Sequence, residues 1–252
     1  MGRKPCTTVG TALITPALHV CNEEYWIYYV LRGLFEVFGK VVLFDTGSTD
    51  RTVEIAQYAA DKYHGEIDWV REDLRGDPHA IGQCPTRLRE RVTSPWMFLV
   101  DGDEIWEESQ LIALVRAVEA LDSSQIQVGL VGGRNVCYRE GRLMMRDKFS
   151  ADRVFNPEVR WDVRSDYPFQ SHGLEQRIAA GKGVYLNNDE IYYWHVRHLQ
   201  RSSRDHEAYF RVEKLGYFPY SGEYFELPEG WLEPIDPDLP NPYLGRNPCG
   251  ES

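Results

Sequence analysis

The stretch from Trp96 to Trp106, WMFLVDGDEIW, restricts the possible folds more than any other part of the chain. Trp96 to Val100 is short, bulky and wholly apolar, and both flanks break the pattern: Ser94-Pro95 before it, Asp-Gly after it. That combination reads as a buried strand. Three acids, Asp101, Asp103 and Glu104, follow at once, with Gly102 between the first two. In open α/β sheets, ligands bind in the crevice just past the carboxyl ends of the strands. Two carboxylates one residue apart, beside a glycine that lets a ligand approach, suit a hard divalent cation that keeps coordination sites for a phosphate. The competing reading is a solvated acidic turn. An EF-hand loop is excluded. Counted from Asp101, Trp106 falls where the sharp-turn glycine belongs and Ile112 where the bidentate glutamate belongs.

The residues before this stretch alternate between two periodicities. Thr11 to Val20 reads as a strand, with Pro16 implying an edge position, a bulge or a bend. Asn22-Glu23-Glu24 opens an expected helix whose acids complement the helix dipole. Trp26, Val30, Leu34 and Val37 recur at helical spacing, and Gly39 ends it. Lys40 to Phe44 is a β-rich strand stopping at Asp45, followed by a helix over 51–62 capped by Asp50 or Ser48. Ile67 to Val70 gives a third strand, 72–85 a polar loop, and 86–92 a short helix. This alternation indicates βαβ units and a mostly parallel sheet. Right-handed crossovers then put Asp45 and Asp101 on one sheet edge.

The second half changes character. After a helix over 108–121, the segments 128–138, 142–145, 153–155 and 191–194 are strand-like, which suggests antiparallel hairpins added to the sheet. Ser202 to Leu215 reads as a C-terminal helix, closing a domain at 1–215; prolines and acids then dominate a tail over 216–252. The net charge of −11 opposes non-specific binding to nucleic acid or anionic membrane. No apolar run is long enough for a membrane span, and the first residues lack a signal-peptide core. The 5 cysteines are dispersed and form no C-x-x-C, which favours a reducing compartment and a cytoplasmic location.

Several of these residues also carry a resemblance. VLFD45TGSTD50RTVEIA, followed later by WMFLVD101GD103E104, resembles the inverting family 2 glycosyltransferases of the GT-A fold, a Rossmann-like α/β architecture. His19-Val-Cys-Asn22-Glu23-Glu24 is similar to that family's first-strand element. Asp152-Arg-Val-Phe155, His172-Gly-Leu-Glu175 and Ile191-Tyr-Tyr-Trp-His195 are similar to its later elements. The chain departs from the pattern at Thr86-Arg87, where the family has Arg-Asn, and at the His-Glu element, stretched by Gly173 and Leu174.

The resemblance implies a metal-dependent transfer from a nucleoside-diphosphate sugar, a UDP-sugar above all, with Mn2+ or Mg2+ as cofactor. It implies that His19, Cys21 and Glu23 line the nucleotide base, that Asp45 accepts a hydrogen bond from it, and that Asp101 and Gly102 lie against the donor. Asp103 would bind the metal, with Asp101 and His195 as further ligands and His198 as the neighbour of His195; an imidazole among carboxylates suits manganese. Arg87 would meet the diphosphate. Glu175 would be the catalytic base, with His172, Asp162 and Asp166 in reserve. Each residue has a plainer alternative: Glu23 a first-turn acid, Asp45 a turn residue, Arg87 a solvated charge, His195 a core histidine, and Glu175 a surface acid paired with Arg177. At the level of function the alternatives are a non-catalytic nucleotide-sugar or glycan-binding relative, or a nucleotidyltransferase; no Gly-rich phosphate loop near the first strand supports the latter. The acceptor, whether glycan, peptide or nucleic acid, stays open.

Overall fold

Alternation along the strands divides the apolar residues between two cores, and this fixes where the helices lie. The computed structural model describes residues 12–77, 80–139, 142–156, 159, 178–186, 189–196, 202 and 225–226. Its first half runs β1 (Ile14–Val20), α1 (Ile27–Phe38), β2 (Lys40–Asp45), α2 (Thr52–Tyr63), β3 (Glu66–Arg71), α3 (Ala80–Arg89) and β4 (Trp96–Asp101). Then follow β5 (Glu104–Ile105), α4 (Glu108–Glu119), β6 (Val128–Arg139), β7 (Arg142–Phe155), β8 (Gly183–Tyr185), β9 (Tyr192–His195) and β10 (Phe225–Glu226). Ile14, Leu18, Trp96, Phe98 and Val100 pack with residues of α1, α2 and α4. Ala17, Met97 and Leu99 pack on the other face with Cys84 and Leu88 of α3. Each fully buried Leu- or Phe-sized side chain contributes about 1.5–3 kcal/mol, so this two-sided core clamps β1 and β4 in the middle of the sheet.

The strand order is β3-β2-β1-β4-β7-β6-β9-β5, with β10 paired to β7 and β8 to β6. β3, β2, β1 and β4 are parallel. β7 is antiparallel to both β4 and β6, and β5 is antiparallel to β9. The added half is not purely antiparallel, because β8 and β9 both run parallel to β6. The fold is therefore mixed α/β. Among the described residues no helix is long and apolar enough to cross a membrane.

Several elements differ from their sequence expectation. β1 is central, not an edge. Val20 bonds toward β2 through its carbonyl and Leu13 toward β4, so the Pro16 nitrogen faces β2, whose ladder begins only at Ala17. No bond is lost there. α1 starts at Ile27 with no acid in its first turn; the Glu23 carbonyl accepts the Trp26 and Ile27 N–H groups at 3.0 and 2.9 Å, a separate turn. α3 begins inside the expected loop, with Pro85 within the helix. The two expected strands at 142–145 and 153–155 are one strand, β7, with register shifts opposite Gly129/Leu130 and Asn135/Val136. The expected C-terminal helix lies outside the described residues apart from Ser202. Of the expected tail, Phe225 and Glu226 pair with Met145 and Met144 of β7.

Candidate active site

The connection from β1 goes through α1 to β2 on one side, and the chain returns through α3 to β4 on the other. The sequence order of neighbouring strands thus reverses at β1, which opens a crevice at the carboxyl ends. His19 is in register with Asp101 and Val20 with Asp45, so both carboxylates do end on one edge. His19 Nε2 is 3.4 Å from Asp101 Oδ1.

Asp101 is held from its other side by Arg153, a residue to which the sequence assigns no role. Arg153 Nη2 donates to Asp101 Oδ2 at 3.0 Å, and its Nε donates to both Glu104 oxygens at 2.9 and 3.0 Å. A second bond runs from Nη2 to Glu104 Oε1. Glu104 also accepts the Asp101 backbone N–H at 3.3 Å. A guanidinium fork between two carboxylates is the geometry that arginine makes best. Burial pushes the Glu104 carboxyl up to about 7 against the pull of Arg153. Burial opposes charge on Arg153 too, but Glu104 and Asp101 hold it protonated well above its ordinary range. For Asp101, burial is outweighed by the charges of Arg153 and His19, which hold the carboxyl below its usual range. Tyr193 lies against this cluster, with Arg153 5.6 Å from its ring centroid; burial raises its phenol well above the ordinary value. Asp152-Arg153 is legible as a family element, but nothing local in sequence says which acids Arg153 meets.

The third acid has a different partner. β5 pairs Glu104 with His195 of β9, and the Val196 N–H donates to the Asp103 carbonyl at 3.0 Å. His195 Nε2 is then 3.6 Å from Asp103 Oδ1, both side chains being more than nine-tenths buried. Among the described residues its Nδ1 is buried without a hydrogen-bond partner. One carboxylate and one imidazole facing each other fit a divalent cation such as manganese in kind. Asp101, the other expected ligand, is turned to His19 and Arg153, and among the described residues no three His, Cys, Asp or Glu side chains are gathered as a ligand set. Gly102 is small for a reason other than ligand approach: a Cβ there would lie 2.6 Å from Glu23 Cγ and 3.0 Å from Val20 Cγ1. Glu23 is buried against this turn, neither a first-turn acid of α1 nor exposed.

Asp45 is buried, and its Oδ1 accepts the Ser48 N–H at 2.9 Å, so it does shape its own turn. Its Oδ2 faces the exposed Arg71 Nε at 3.4 Å. Arg75, held to Asp73 by two side-chain bonds, has Cys21 and Asp45 in its neighbourhood as well. Arg87 is exposed and pairs loosely with Glu72 at 3.6 Å, away from Asp101 and Asp103 in its contacts. His19, Glu23, Gly102, Asp101, Asp103 and His195 are thus brought to one end of the sheet, with Asp45 on the adjoining strand. Glu175, His172, His198, Asp162 and Asp166 lie outside the described residues.

Residues 17–167, spanning the crevice, match the model of "Glycosyl transferase family 2". The chain belongs to this family. No curated protein sequence matches it. Among solved structures, residues 1–349 of Staphylococcus aureus TarS share 14% identity and a TM-score of 0.50, over 81% of this chain and 64% of that one. The same protein in complex with UDP-GlcNAc gives a TM-score of 0.50 and 14% identity over 73% of this chain and 58% of that one. Glucosyl-3-phosphoglycerate synthase from Mycobacterium tuberculosis, with Mn2+, UDP and phosphoglyceric acid, gives 0.46 and 17% identity over 73% and 70%. The family member described here has the GT-A fold, and it spans 64% of the length of that TarS structure.

Proposed function

We propose that the chain transfers a glycosyl group from a nucleoside-diphosphate sugar, a UDP-sugar, to an acceptor, with inversion at the anomeric carbon. The observation that carries this reading is the crevice between β1 and β4, where Asp101 is fixed between His19 and Arg153 and Asp103 faces His195. Family membership and the UDP-GlcNAc complex of TarS support a UDP-sugar in that crevice. His19, Cys21, Glu23 and Asp45 line the nucleotide side. Asp101, locked by Arg153, offers a fixed acceptor to the ribose, since its rotamer no longer has to be ordered on binding.

A divalent cation would be held by Asp103 and His195 and would neutralise the charge developing on the departing diphosphate. The cations Arg71, Arg75 and Arg87 stand at the outer rim of the same edge, where they favour approach of the anionic donor. In the transfer, an acceptor O–H gives its proton to Glu175; its oxygen forms a bond to the anomeric carbon as the bond from that carbon to the diphosphate oxygen breaks. The dispersed cysteines, with no C-x-x-C pair, suit a reducing compartment such as the cytoplasm.

The test is calorimetric titration of UDP-sugars with manganese and with chelator, followed by NMR of the product anomer. Donor binding, metal dependence and an inverted product are expected. Binding with neither transfer nor slow hydrolysis would make the chain a non-catalytic nucleotide-sugar binder; no binding of any nucleoside-diphosphate sugar would overturn the reading.

A further inference from the structure

Beyond the crevice, β6, β7 and β9 carry an open groove of about 440 Å³, lined by Arg134, Lys148, Phe149, Ser150, Asp189 and Tyr192 among others. Its two cations differ from several others among the described residues. Arg71, Arg75, Arg87, Arg91 and Arg153 each meet a carboxylate. Neither Arg134 nor Lys148 has a carboxylate within ion-pair distance among the described residues, in a chain of net charge −11. They also stand directly opposite each other in the β6–β7 register. Like charges at directly opposed positions of an antiparallel pair repel and cost stability. An anion between them would turn that cost into attraction.

Arg134 is prepared for such a ligand. Its guanidinium lies 3.2 Å from the Tyr192 ring centroid and 5.4 Å from that of Trp194. Stacking takes the flat face of the group out of water and fixes its plane, leaving the edge N–H donors for a carboxylate or phosphate. Ser150 and Asp189 at the rim add a hydroxyl and a carboxylate, which match ligand hydroxyls. A polyhydroxylated ring bearing one acid group satisfies all of these. A nucleic acid does not, since its repeated phosphates would meet Asp189 and the negative field of the chain.

The groove adjoins the Asp103–His195 pair through Phe149, whose ring lies 5.5 Å from that of His195, but its cations open on the other face of β9. Tyr193 and His195 are in ring contact on one face of β9, and Tyr192 faces the other way with Trp194. Three residues of strand, roughly 10 Å, separate Tyr192 from His195.

We propose that this groove is a binding site for an anionic saccharide, gripping its carboxylate or phosphate away from the end where the bond forms. To name the occupant an acceptor rests on the glycosyl-transfer reading; the binding itself does not. The test titrates the full chain with oligogalacturonate, a hexose phosphate and an uncharged galactose oligosaccharide, without donor. At least one acidic probe is expected to bind and the neutral one not, and the better acidic probe distinguishes carboxylate from phosphate. The double variant Arg134→Gln, Lys148→Gln is expected to lose roughly tenfold in affinity for that probe, with UDP affinity unchanged and thermal unfolding not lowered. Equal binding of neutral and acidic probes, no binding of either, or full affinity in the double variant would overturn the proposal. Loss of UDP binding by the parent chain would instead count against the donor reading and leave the groove standing.

Discussion

The two halves of the sheet contribute to the site in different ways. In the parallel half, β2 and β4 are short strands that stop at Asp45 and Asp101, beside the end of β1. The other half is dominated by the β6–β7 hairpin, whose strands run 12 and 14 residues. It delivers partners for the acids: Arg153 from β7 reaches Asp101 and Glu104, and β9 sets His195 against Asp103. Asp101, Glu104 and Asp103 meet side chains from far along the chain, whereas Asp45 faces Arg71 of the neighbouring strand. The lesson is that the acids at the strand ends are legible in the sequence, whereas the partners that reach them from the second half have meaning only through long-range contacts.

The division can be broken at its most loaded points. Asp103→Ala removes the carboxylate that faces His195, so transfer should fall about a hundredfold or more and lose its response to manganese. Steady-state assays with and without chelator read this out, and full activity in excess chelator would dissolve the distinction between Asp103 and the other acids. Next in size is Arg153→Met. It leaves Glu104 buried and Asp101 half-buried without their cation and should cost about 3–5 kcal/mol in urea unfolding. Arg134→Met, on the same hairpin but in the open groove, should stay within about 0.5 kcal/mol. Equal losses would mean that the hairpin cations are interchangeable.

A smaller effect sharpens the seam between the halves. Gly→Ala inside a helix ordinarily gains up to about 1 kcal/mol. At Gly33 of α1, a Cβ would lie 2.1 Å from the Trp106 carbonyl oxygen, just beyond β5. Gly33→Ala should therefore lose about 1–3 kcal/mol in thermal or urea unfolding; a gain would show that α1 and this turn part easily. The smallest expected effect on stability is at Asp45. Asp45→Asn keeps an acceptor for the Ser48 N–H and should leave stability within about 0.5 kcal/mol, while nucleotide affinity falls roughly tenfold. Unchanged affinity by calorimetry would make Asp45 a turn residue only.

How far the sequence is readable follows the same line. The Trp96 strand and its acidic turn are legible because a buried strand that ends in acids has few structural explanations. α3 is concealed by Pro85, which reads as a helix breaker although the helix runs through it. The start of α1 is concealed by Glu23 and Glu24, acids that look suited to a helix dipole. Both instead have backbone amides bonded to the next loop. Gly102 invites a ligand reading because a glycine says only that space is short, not what fills it; here Glu23 does. Arg153 and Arg134 stand in similar strand contexts, and no local pattern distinguishes an arginine buried between two acids from one left facing a groove. The expected base, Glu175, lies outside the described residues, so its assignment rests on the sequence alone.

The loops after β1 and β2 are laced together. The Asn22 N–H donates to Ser48 Oγ and Thr49 N–H to Asn22 Oδ1, at 3.0 and 2.8 Å. The Glu23 N–H donates to Thr52 Oγ1 at 2.7 Å, and the Arg51 N–H donates to Glu24 Oε2 at 3.2 Å. Neither loop can open without breaking bonds in the other, so the nucleotide edge behaves as one cooperative unit instead of two independent flaps. Its amide protons should exchange with solvent together and slowly. A donor settling there then finds a surface already ordered, and little of its binding energy is spent on immobilising chain.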